Sequence, residues 1–302
     1  MKALVIGYGS IGIRHARLLT SLGCEVAVVS SRDVEFPAHY HTLADALSWK
    51  PEYVVIANRT SRHYKTLTEL AELGFIGTVL VEKPLFYEEE ELPRQEFKRA
   101  FVGYNLRFHP VLQKLRTILQ NEKLISVQAY VGQYLPTWRP GSDYRNSYSA
   151  DIAAGGGVLR DLSHELDYLN WLLGGWDQLT ALGGRYSRLE INSDDAWMIM
   201  MTTAKCPLVS VQMNYLDRLT RRRILINTDD HTIEADLVKG SIMIDDKTEV
   251  MTSERDLTYR EQHRAVLDDR RDTLCTLQEG MEIMRMIHAI ERSARQKEWV
   301  LR

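Results

Sequence analysis

The chain has few cysteines and no long hydrophobic run, and these absences exclude several classes of protein. Only three of its 302 residues are cysteine, and Cys24, Cys206 and Cys275 lie far apart, with no CxxC spacing. We therefore expect neither a disulfide scaffold nor a structural metal site, and the cysteine content is typical of the reducing cytoplasm. No apolar run approaches the length of a membrane span, and no signal-peptide h-region follows Met1, so no membrane partner is expected.

Strong net charge is also absent. The formal net charge is −3, with 26% charged and 44% hydrophobic residues, as in ordinary water-soluble globular domains. This balance gives no reason to expect a nucleic acid as partner, because nucleic-acid binding relies on a basic surface. The length is sufficient for two domains, each with its own core.

A glycine motif lies near the beginning of the chain. Residues 3–6 (Ala-Leu-Val-Ile) predict a buried strand, and Gly7, Gly9 and Gly12 follow it as G-x-G-x-x-G around Ser10 and Ile11, before an amphipathic helix. In this strand–turn–helix context the first glycine permits a tight turn and the second lets the backbone approach a pyrophosphate. The third allows close helix–strand packing. The motif predicts a dinucleotide-binding site.

The end of the second strand bears on which dinucleotide is bound. After residues 25–29 the chain continues as Ser30, Ser31 and Arg32, where an NAD-specific site usually has an acidic residue for the ribose 2′-hydroxyl. Hydroxyls and a guanidinium suit a 2′-phosphate, so NADP is the preferred cofactor and NAD remains possible. The alternative is a solvated turn in which Asp33 is the ribose acid.

Two further strand ends carry candidate cofactor-binding residues, because the carboxyl ends of parallel strands line the ligand crevice. Asn58 and Arg59 follow the strand at 53–57, and His63 opens the next helix, although a histidine there is more often a surface or capping residue. Lys83 lies in a Glu-Lys-Pro run after residues 78–81. It is either a crevice residue facing the nicotinamide or a surface lysine before a turn. Strands alternate with helices over residues 1–121, which predicts a doubly wound parallel sheet.

A second glycine-rich stretch opens a predicted helix in the other half of the chain. Gly155, Gly156 and Gly157 allow a close approach of backbone and ligand, and the apolar pattern continues to residue 173. On one continuous helix Asp161 and His164 would share a face, so this pair is a candidate acid/base site. The alternative is a buried helix with a few satisfied polar groups.

Together these motifs resemble the glucose–fructose oxidoreductase / inositol dehydrogenase / rhizopine-catabolism family of NAD(P)-dependent oxidoreductases. The matching features cover most of the chain, and they are G-x-G-x-x-G at 7–12, Glu-Lys-Pro at 82–84, Tyr-Asn-x-Arg-Phe-x-Pro at 104–110 and Gly-Gly-Gly…Asp…His-x-x-Asp at 155–167. The resemblance implies a Rossmann domain followed by an α+β domain with an open, mostly antiparallel sheet. It also implies hydride transfer between a nicotinamide and a hydroxyl or keto carbon of a sugar, sugar acid or nucleotide-sugar. A role in surface-polysaccharide sugar biosynthesis is the finer expectation.

The resemblance further implies that Lys83 and His164 are the catalytic pair, with Asp161 as a third member. The family pattern places the acid four residues before the histidine, whereas here the interval is three and position 160 is arginine. An aromatic–arginine pair before the glycines often contacts cofactor or substrate in the family. Tyr144-Arg145 is preferred here over Trp138-Arg139. The alternative for this loop at 135–149 is a packed Ω-loop whose charges pair with each other.

These expectations define two sets of site residues beside the catalytic group. The predicted cofactor set is Gly7, Gly9, Ser10, Ile11, Gly12, Ser30, Ser31, Arg32, Asn58, Arg59, His63, Glu82, Lys83, Pro84 and Arg145. The predicted substrate set is Lys83, Asn105, Arg107, Arg139, Tyr144, Arg145 and His164.

The predicted domains are a NAD(P)-binding domain at 1–121 and a substrate-binding and oligomerisation domain at 122–302. In the second domain, strands are predicted at about 178–187, 194–204, 207–217 and 221–237, and helices at about 258–271 and 276–296. Asp194 and Asp195 are interpreted as a turn, since no further metal ligands accompany them. A broad sheet with one face on the Rossmann domain leaves the other uncovered, which predicts a homodimer or homotetramer through that sheet. The alternative function is a non-catalytic NAD(P)-binding sensor or scaffold.

Overall fold

A computed structural model describes residues 1–94 and 97–302. In the first part of the chain the strands and helices are β1 (Lys2–Ile6), α1 (Ser10–Ser21), β2 (Glu25–Val29), β3 (His39–Tyr40), α2 (Leu43–Leu47), β4 (Tyr53–Ile56), α3 (His63–Glu72), β5 (Thr78–Val81), β6 (Arg99–Val102) and α4 (Pro110–Ile118). None of the helices formed by residues 1–94 and 97–302 has the length and hydropathy of a membrane span.

The second part begins with a long strand and contains most of the remaining sheet. Its elements are β7 (Leu124–Gly132), α5 (Val158–Asp161), α6 (His164–Leu173), β8 (Trp176–Gly184), β9 (Ala196–Thr203), β10 (Leu208–Asn214), β11 (Arg221–Thr228), β12 (Thr232–Asp236), β13 (Ser241–Ile244), β14 (Lys247–Val250), α7 (Leu257–Leu267), β15 (Cys275–Thr276), α8 (Leu277–Gln296) and β16 (Val300–Leu301).

The first compact unit contains residues 1–105 and 256–284 and is built on a seven-stranded sheet. The strand order is β15-β6-β5-β4-β1-β2-β3, and every pair is parallel except β15 with β6. The central strands are buried continuous runs of Val, Leu and Ile, as expected for parallel strands covered on both faces. The predicted doubly wound parallel sheet is therefore confirmed.

The second unit contains residues 106–255 and 285–302 and is built on a nine-stranded sheet. The order is β14-β13-β12-β11-β7-β10-β9-β8-β16, with β7 and β10 parallel and the other pairs antiparallel. The predicted open, mostly antiparallel sheet is confirmed. Along β9 the side chains alternate, so that Trp197, Ile199 and Met201 are buried while Met198 and Met200 are exposed.

The division of the chain differs from the predicted boundary between residues 121 and 122. Residues 256–284 belong with the first unit because β15 adds an antiparallel strand beside β6 and the His263 ring of α7 packs against His15 of α1. The first unit also ends earlier, at Asn105. Non-local pairing of this kind leaves no signal in local composition. Some elements, such as α8, begin and end close to their predicted positions, whereas the predicted strand at 221–237 is the two strands β11 and β12.

Candidate functional site

The three motif glycines of the first unit meet different surroundings. Gly7 has φ +96°, and a Cβ there would lie 2.7 Å from the backbone of Asn58. A Cβ on Gly12 would collide with the carbonyl oxygen of Gly7. A Cβ on Gly9 would meet nothing within 4 Å, and Gly9 is the N-cap of α1 without a side-chain cap. Gly7 and Gly12 are thus required by packing, whereas the space over Gly9 and the free amides of Ser10 and Ile11 suit an anionic ligand.

Of the predicted ribose-binding residues at the end of β2, Ser31 and Arg32 lie at the surface. Ser30 is buried and its Oγ accepts the backbone N–H of Arg32 at 3.2 Å, while the side chains of Ser31 and Arg32 are exposed. Asp33 is exposed and lies 3.5 Å from Nε2 of His41. Asp33, His39 and His41 each offer one atom that could bind a metal ion, and these three atoms lie within 4.8 Å of one another. The Arg32 guanidinium and the Asp33 carboxylate are therefore both exposed at the end of β2, where the sequence predicts the ribose.

His63 has the contacts of a packing residue. It is 1% exposed, with Nδ1 3.1 Å from the carbonyl oxygen of Pro84 and Nε2 3.2 Å from that of Asn58. Burial lowers the pKa of its imidazole despite these carbonyl contacts. Because a neutral imidazole has one N–H, the ring donates to only one of these two carbonyl oxygens, although both lie against it. His63 packs between Pro84 and the end of β4. There Asn58 donates from Nδ2 to Thr66 at 2.8 Å, and Arg59 is exposed.

The Glu-Lys-Pro run follows β5 directly. Lys83 is half-buried and joined to Pro84 by a cis peptide bond. The carboxylate of Glu82 is 7% exposed, and its Oε2 accepts the backbone N–H of Lys83 at 3.3 Å. At the end of the next strand Asn105 is buried, and its Nδ2 lies 2.6 Å from Oγ1 of Thr258. Lys83 therefore projects from a backbone that is held on both sides.

Arg107, predicted to contact substrate, is one half of a buried ion pair in the second unit. Its Nε and Nη2 lie 3.0 and 2.7 Å from the two carboxylate oxygens of Asp167, and the two residues are 2% and 1% exposed. The guanidinium also lies 5.4 Å from the ring of Trp171. Bidentate pairing and burial make this a structural pair, which accounts for both residues of the family motif without a ligand.

The predicted helix at 158–173 is interrupted, so the prediction that Asp161 and His164 share one helical face was wrong. Asp161 ends α5 and His164 begins α6. Between them the amide of Ser163 bonds the carbonyl of Arg160 at 3.4 Å, and that of Glu165 bonds Leu162 at 3.3 Å. These three-residue spacings tighten the turn and rotate the two side chains relative to each other.

Asp161 is bound instead by tyrosines of the same unit. The hydroxyl of Tyr215, just after β10, donates to Oδ2 of Asp161 at 2.6 Å, and both residues are buried. The charge of Asp161 raises the pKa of the Tyr148 phenol well above its usual range. Sequence reasoning missed Tyr215, because nothing local distinguishes one tyrosine at a strand end from the other thirteen. His164, at the start of α6, is 8% exposed.

The glycines at 155–157 accommodate the protein's own chain, in contrast to the predicted bulky ligand. A Cβ on Gly156 would collide with the carbonyl oxygen of Tyr148, and one on Gly157 with the carboxylate of Asp194. That carboxylate accepts the N–H of Leu159 at 3.0 Å and the indole N–H of Trp197 at 2.7 Å. The Asp194 carboxylate therefore caps α5 from outside the helix.

The loop before the glycines forms a pocket of about 240 Å³ within the second unit. Trp138, Arg139 and Tyr144 line it, and the Arg139 guanidinium lies 5.2 Å from the Tyr148 ring. Arg145 is not among the lining residues and pairs with Asp143 at 2.9 Å and Glu190 at 3.1 Å. Of the two aromatic–arginine pairs, the geometry favours Trp138-Arg139 for ligand contact, and Arg145 fits the packed-loop alternative.

Comparison with known proteins agrees with this architecture. Residues 112–242 match the family model described as GFO/IDH/MocA C-terminal domain, and comparison with curated protein sequences gave no match.

Three solved structures show the same fold over nearly the whole chain. GenD2 from gentamicin A biosynthesis in complex with NAD is 21% identical, with a TM-score of 0.80 over 100% of this chain and 96% of that chain. The WlbA dehydrogenase from Bordetella pertussis, in complex with NADH and UDP-GlcNAcA, is 20% identical, with a TM-score of 0.82 over 100% and 98%. The UDP-N-acetylglucosamine 3-dehydrogenase GnnA from Acidithiobacillus ferrooxidans is 20% identical, with a TM-score of 0.79 over 98% of both chains. At such identities the likeness establishes the fold.

Proposed function

We propose that this protein is an NAD(P)-dependent oxidoreductase of a sugar, sugar acid or nucleotide-sugar, and the match of residues 112–242 to the GFO/IDH/MocA C-terminal domain model supports the proposal. The observation that carries the proposal is the open space over Gly9 at the N-terminus of α1, directly after β1. Backbone amides at a helix start, unobstructed by a side chain, are a site for a pyrophosphate.

The chemistry requires a hydride carrier and an acid/base group. A bound nicotinamide supplies the hydride acceptor or donor. Lys83 donates a hydrogen bond to the reacting oxygen and stabilises its developing negative charge during oxidation. His164 exchanges the hydroxyl proton, since an imidazole titrates near neutral pH. Asp161 acts as the third member from the last position of α5, where Tyr215 donates to it and its charge raises the pKa of Tyr148.

The substrate class is supported by the pocket in the 135–149 loop. An indole, a guanidinium and several hydroxyls line it, a combination that binds a polyhydroxylated or phosphorylated ligand by stacking and charge-assisted hydrogen bonds. WlbA is bound to UDP-GlcNAcA and GnnA is named a UDP-N-acetylglucosamine 3-dehydrogenase. A nucleotide-sugar of a surface-polysaccharide pathway is therefore the first substrate to test.

The cofactor preference follows from the end of β2. Exposed Ser31 and Arg32 support a 2′-phosphate and hence NADP, although the GenD2 and WlbA complexes contain NAD or NADH. Loss of Arg32 should then weaken NADPH binding much more than NADH binding. Equal losses in Arg32→Ala, together with tighter NADPH binding in Asp33→Asn, would identify Asp33 as the ribose acid.

A second copy of the chain is the proposed partner of the open sheet face. Leu182 and Met198 are cross-strand neighbours and are 67% and 60% exposed, and Met200 on the same face is 55% exposed. A row of exposed apolar side chains in a sheet is typical of an interface between subunits. Light scattering should give an oligomer whose mass falls in Leu182→Lys/Met198→Lys. The exposed Leu219→Lys variant, on a loop, should leave it unchanged.

The decisive experiment is a screen of sugars and nucleotide-sugars for a change in NADPH or NADH fluorescence. We expect turnover with at least one of them, its loss in Lys83→Ala and His164→Ala with cofactor binding retained, and normal turnover in the exposed control Lys65→Ala. Near-wild-type turnover in Lys83→Ala would refute the catalytic role. Cofactor binding without turnover of any substrate would instead favour the sensor or scaffold.

A further inference from the structure

A buried line of hydrogen bonds runs through four side chains of the first unit and ends beside Lys83. The hydroxyl of Tyr53 lies 3.0 Å from Nδ1 of His263, whose Nε2 lies 2.8 Å from Nδ1 of His15. Nε2 of His15 lies 2.8 Å from Oε1 of Glu82. Glu82 is 7% exposed and the other three are fully buried. We call these four residues the Glu82 line; they come from β4, α7, α1 and the end of β5.

The Glu82 line has one consistent direction when its carboxylate is ionised and both histidines are neutral. A neutral imidazole offers one donor and one acceptor. Because an ionised carboxylate only accepts, His15 must donate from Nε2 and accept at Nδ1. His263 must then donate from Nε2, and its Nδ1 accepts the hydroxyl of Tyr53. Each group thus donates one bond toward Glu82, and each bond is satisfied.

The other oxygen of Glu82 connects the line to Lys83. Oε2 accepts the backbone N–H of Lys83 at 3.3 Å, while Gly103 leaves the room that Oε1 occupies, since a Cβ there would lie 2.9 Å from it. The carboxylate is therefore fixed between the line and the backbone from which the Lys83 side chain projects. Moving Glu82 would move the amide of Lys83.

Burial favours the neutral forms of Tyr53 and His263 in the line. The Tyr259 ring packs edge-on against His15 at 5.6 Å between centroids, and the Arg14 guanidinium lies 5.1 Å from that ring. Burial, and then Cys24 and Glu82, raise the pKa of the Tyr53 phenol well above the usual range, against the opposing charge of Arg99. Burial, and then the neighbouring His15, lower the pKa of His263 well below its ordinary value.

We propose that Tyr53, His263 and His15 are positioning residues that hold the Glu82 carboxylate, and through it the backbone of Lys83, in a single oriented hydrogen-bonded line. The inference deepens the proposed function, because it rests on the role of Lys83. It assigns a purpose to a histidine of α1 and a histidine of α7 that would otherwise be costly buried polar groups.

Glu82→Gln tests the connection by reversing it. The backbone N–H of Lys83 can only donate, so the glutamine oxygen must face it and the amide NH₂ must face His15. His15 then accepts at Nε2 and carries its proton on Nδ1, and His263 must follow. We expect both histidines to switch from the Nε2–H to the Nδ1–H tautomer, measured by ring ¹⁵N shifts, with no switch in the exposed control Glu25→Gln. Unchanged tautomers, or a switch confined to one histidine, would overturn the connection.

Two further measurements keep the inference testable if Glu82→Gln does not fold. In the wild-type protein at neutral pH both histidines should be Nε2–H tautomers by ring ¹⁵N shifts, and an Nδ1–H tautomer at either contradicts the line. In Tyr53→Phe, which loses the hydroxyl–imidazole contact with His263, we expect kcat to fall about threefold with KM unchanged. Tyr130→Phe, which loses a hydroxyl–carboxylate contact outside the line, should keep its kcat. Equal effects in both would reduce the line to a structural role. The tautomer measurement requires no substrate, so a failure of the proposed function would appear separately, as an active Lys83→Ala.

Discussion

The hydroxyl of Tyr215 donates a hydrogen bond of 2.6 Å to the carboxylate of Asp161, and the structure thereby gives this acid a partner other than the one its spacing suggested. In the sequence, Asp161 stands three residues before His164, where the family pattern has four. The break at Leu162 and Ser163 separates the two residues into different helices. The orientation of Asp161 is therefore set by β10 and the residues that follow it.

Tyr215→Phe should test whether this bond matters for catalysis as well as for folding. Loss of a buried hydrogen bond to a charged group costs about 1.5–3 kcal/mol. Because Asp161 would lose its orientation, turnover should also fall about tenfold. Urea unfolding and steady-state kinetics measure the two effects. Tyr130→Phe, whose hydroxyl lies 3.0 Å from Asp217, is the matched control and should lose stability while keeping its turnover. Equal turnover in both variants would assign Tyr215 to folding alone.

The two glycines of the dinucleotide motif should respond differently to alanine. A Cβ on Gly9 meets nothing within 4 Å and its φ of −89° suits any residue, so Gly9→Ala should fold, at a cost of about 1 kcal/mol from the weaker N-cap. Its affinity for NADPH and NADH should fall at least tenfold, because the methyl group enters the space proposed for the pyrophosphate. Cofactor fluorescence titration and thermal unfolding check these outcomes.

Gly12→Ala is the counterpart of that variant. Its Cβ would collide with the Gly7 carbonyl, and overpacking of this kind costs about 3 kcal/mol. The fall in stability should therefore exceed that of Gly9→Ala. If Gly9→Ala binds cofactor normally, the pyrophosphate is not bound at this helix.

The parallel sheet could be predicted from the sequence because its signals are local, whereas the open antiparallel sheet was implied by the family resemblance. Continuous Val, Leu and Ile runs, alternating with amphipathic helices, specify β1, β4 and β5 as buried parallel strands, and the glycine motif fixes the first turn. The non-local parts were not predicted. The pairing of β15 with β6 and the packing of His263 on His15 join residues more than 170 positions apart, and no local pattern encodes such contacts.

The candidate site shows the same division. The positions of Gly9 at the start of α1 and of Lys83 at the end of β5 follow from strand and turn patterns. Arg107 and Asp167 belong to the predicted motifs, but their burial as a pair depends on the turn before α4 meeting α6. Likewise, Gly157 was ascribed to a ligand, yet the group that requires its missing side chain is Asp194, 37 positions later.

The Arg107–Asp167 pair should be among the costliest single contacts to break. Asp167→Asn would leave a guanidinium 2% exposed without its counter-charge, which is expected to lower the free energy of unfolding by about 3–5 kcal/mol. Urea denaturation measures the change. Asp143→Asn, which breaks the exposed pair with Arg145, is the control and should leave the unfolding free energy within experimental error. A small loss in Asp167→Asn would mean that the buried pair contributes little to the fold.

His109 should make the fold sensitive to acid. It is the N-cap of α4, its Nδ1 accepts the N–H of Val111 at 3.2 Å, and burial together with the charge of Arg222 lowers its pKa to about 4. The unfolded chain, with an ordinary histidine pKa of about 6.5, therefore binds more protons between pH 6.5 and 4, so stability falls as the pH falls through that window. At pH 5 this one group should remove about 2 kcal/mol relative to pH 8.

His109→Asn separates this effect from the other titrating groups. Asparagine is a good N-cap and does not titrate, so the variant should lose about 2 kcal/mol less than the wild type between pH 8 and pH 5. The exposed control His41→Asn should retain the full wild-type drop. Guanidinium unfolding at the two pH values measures each difference. An equal acid-induced loss in His109→Asn and the wild type would mean that His109 titrates alike in the folded and unfolded chains, and that its hydrogen bond to Val111 does not depend on the neutral ring.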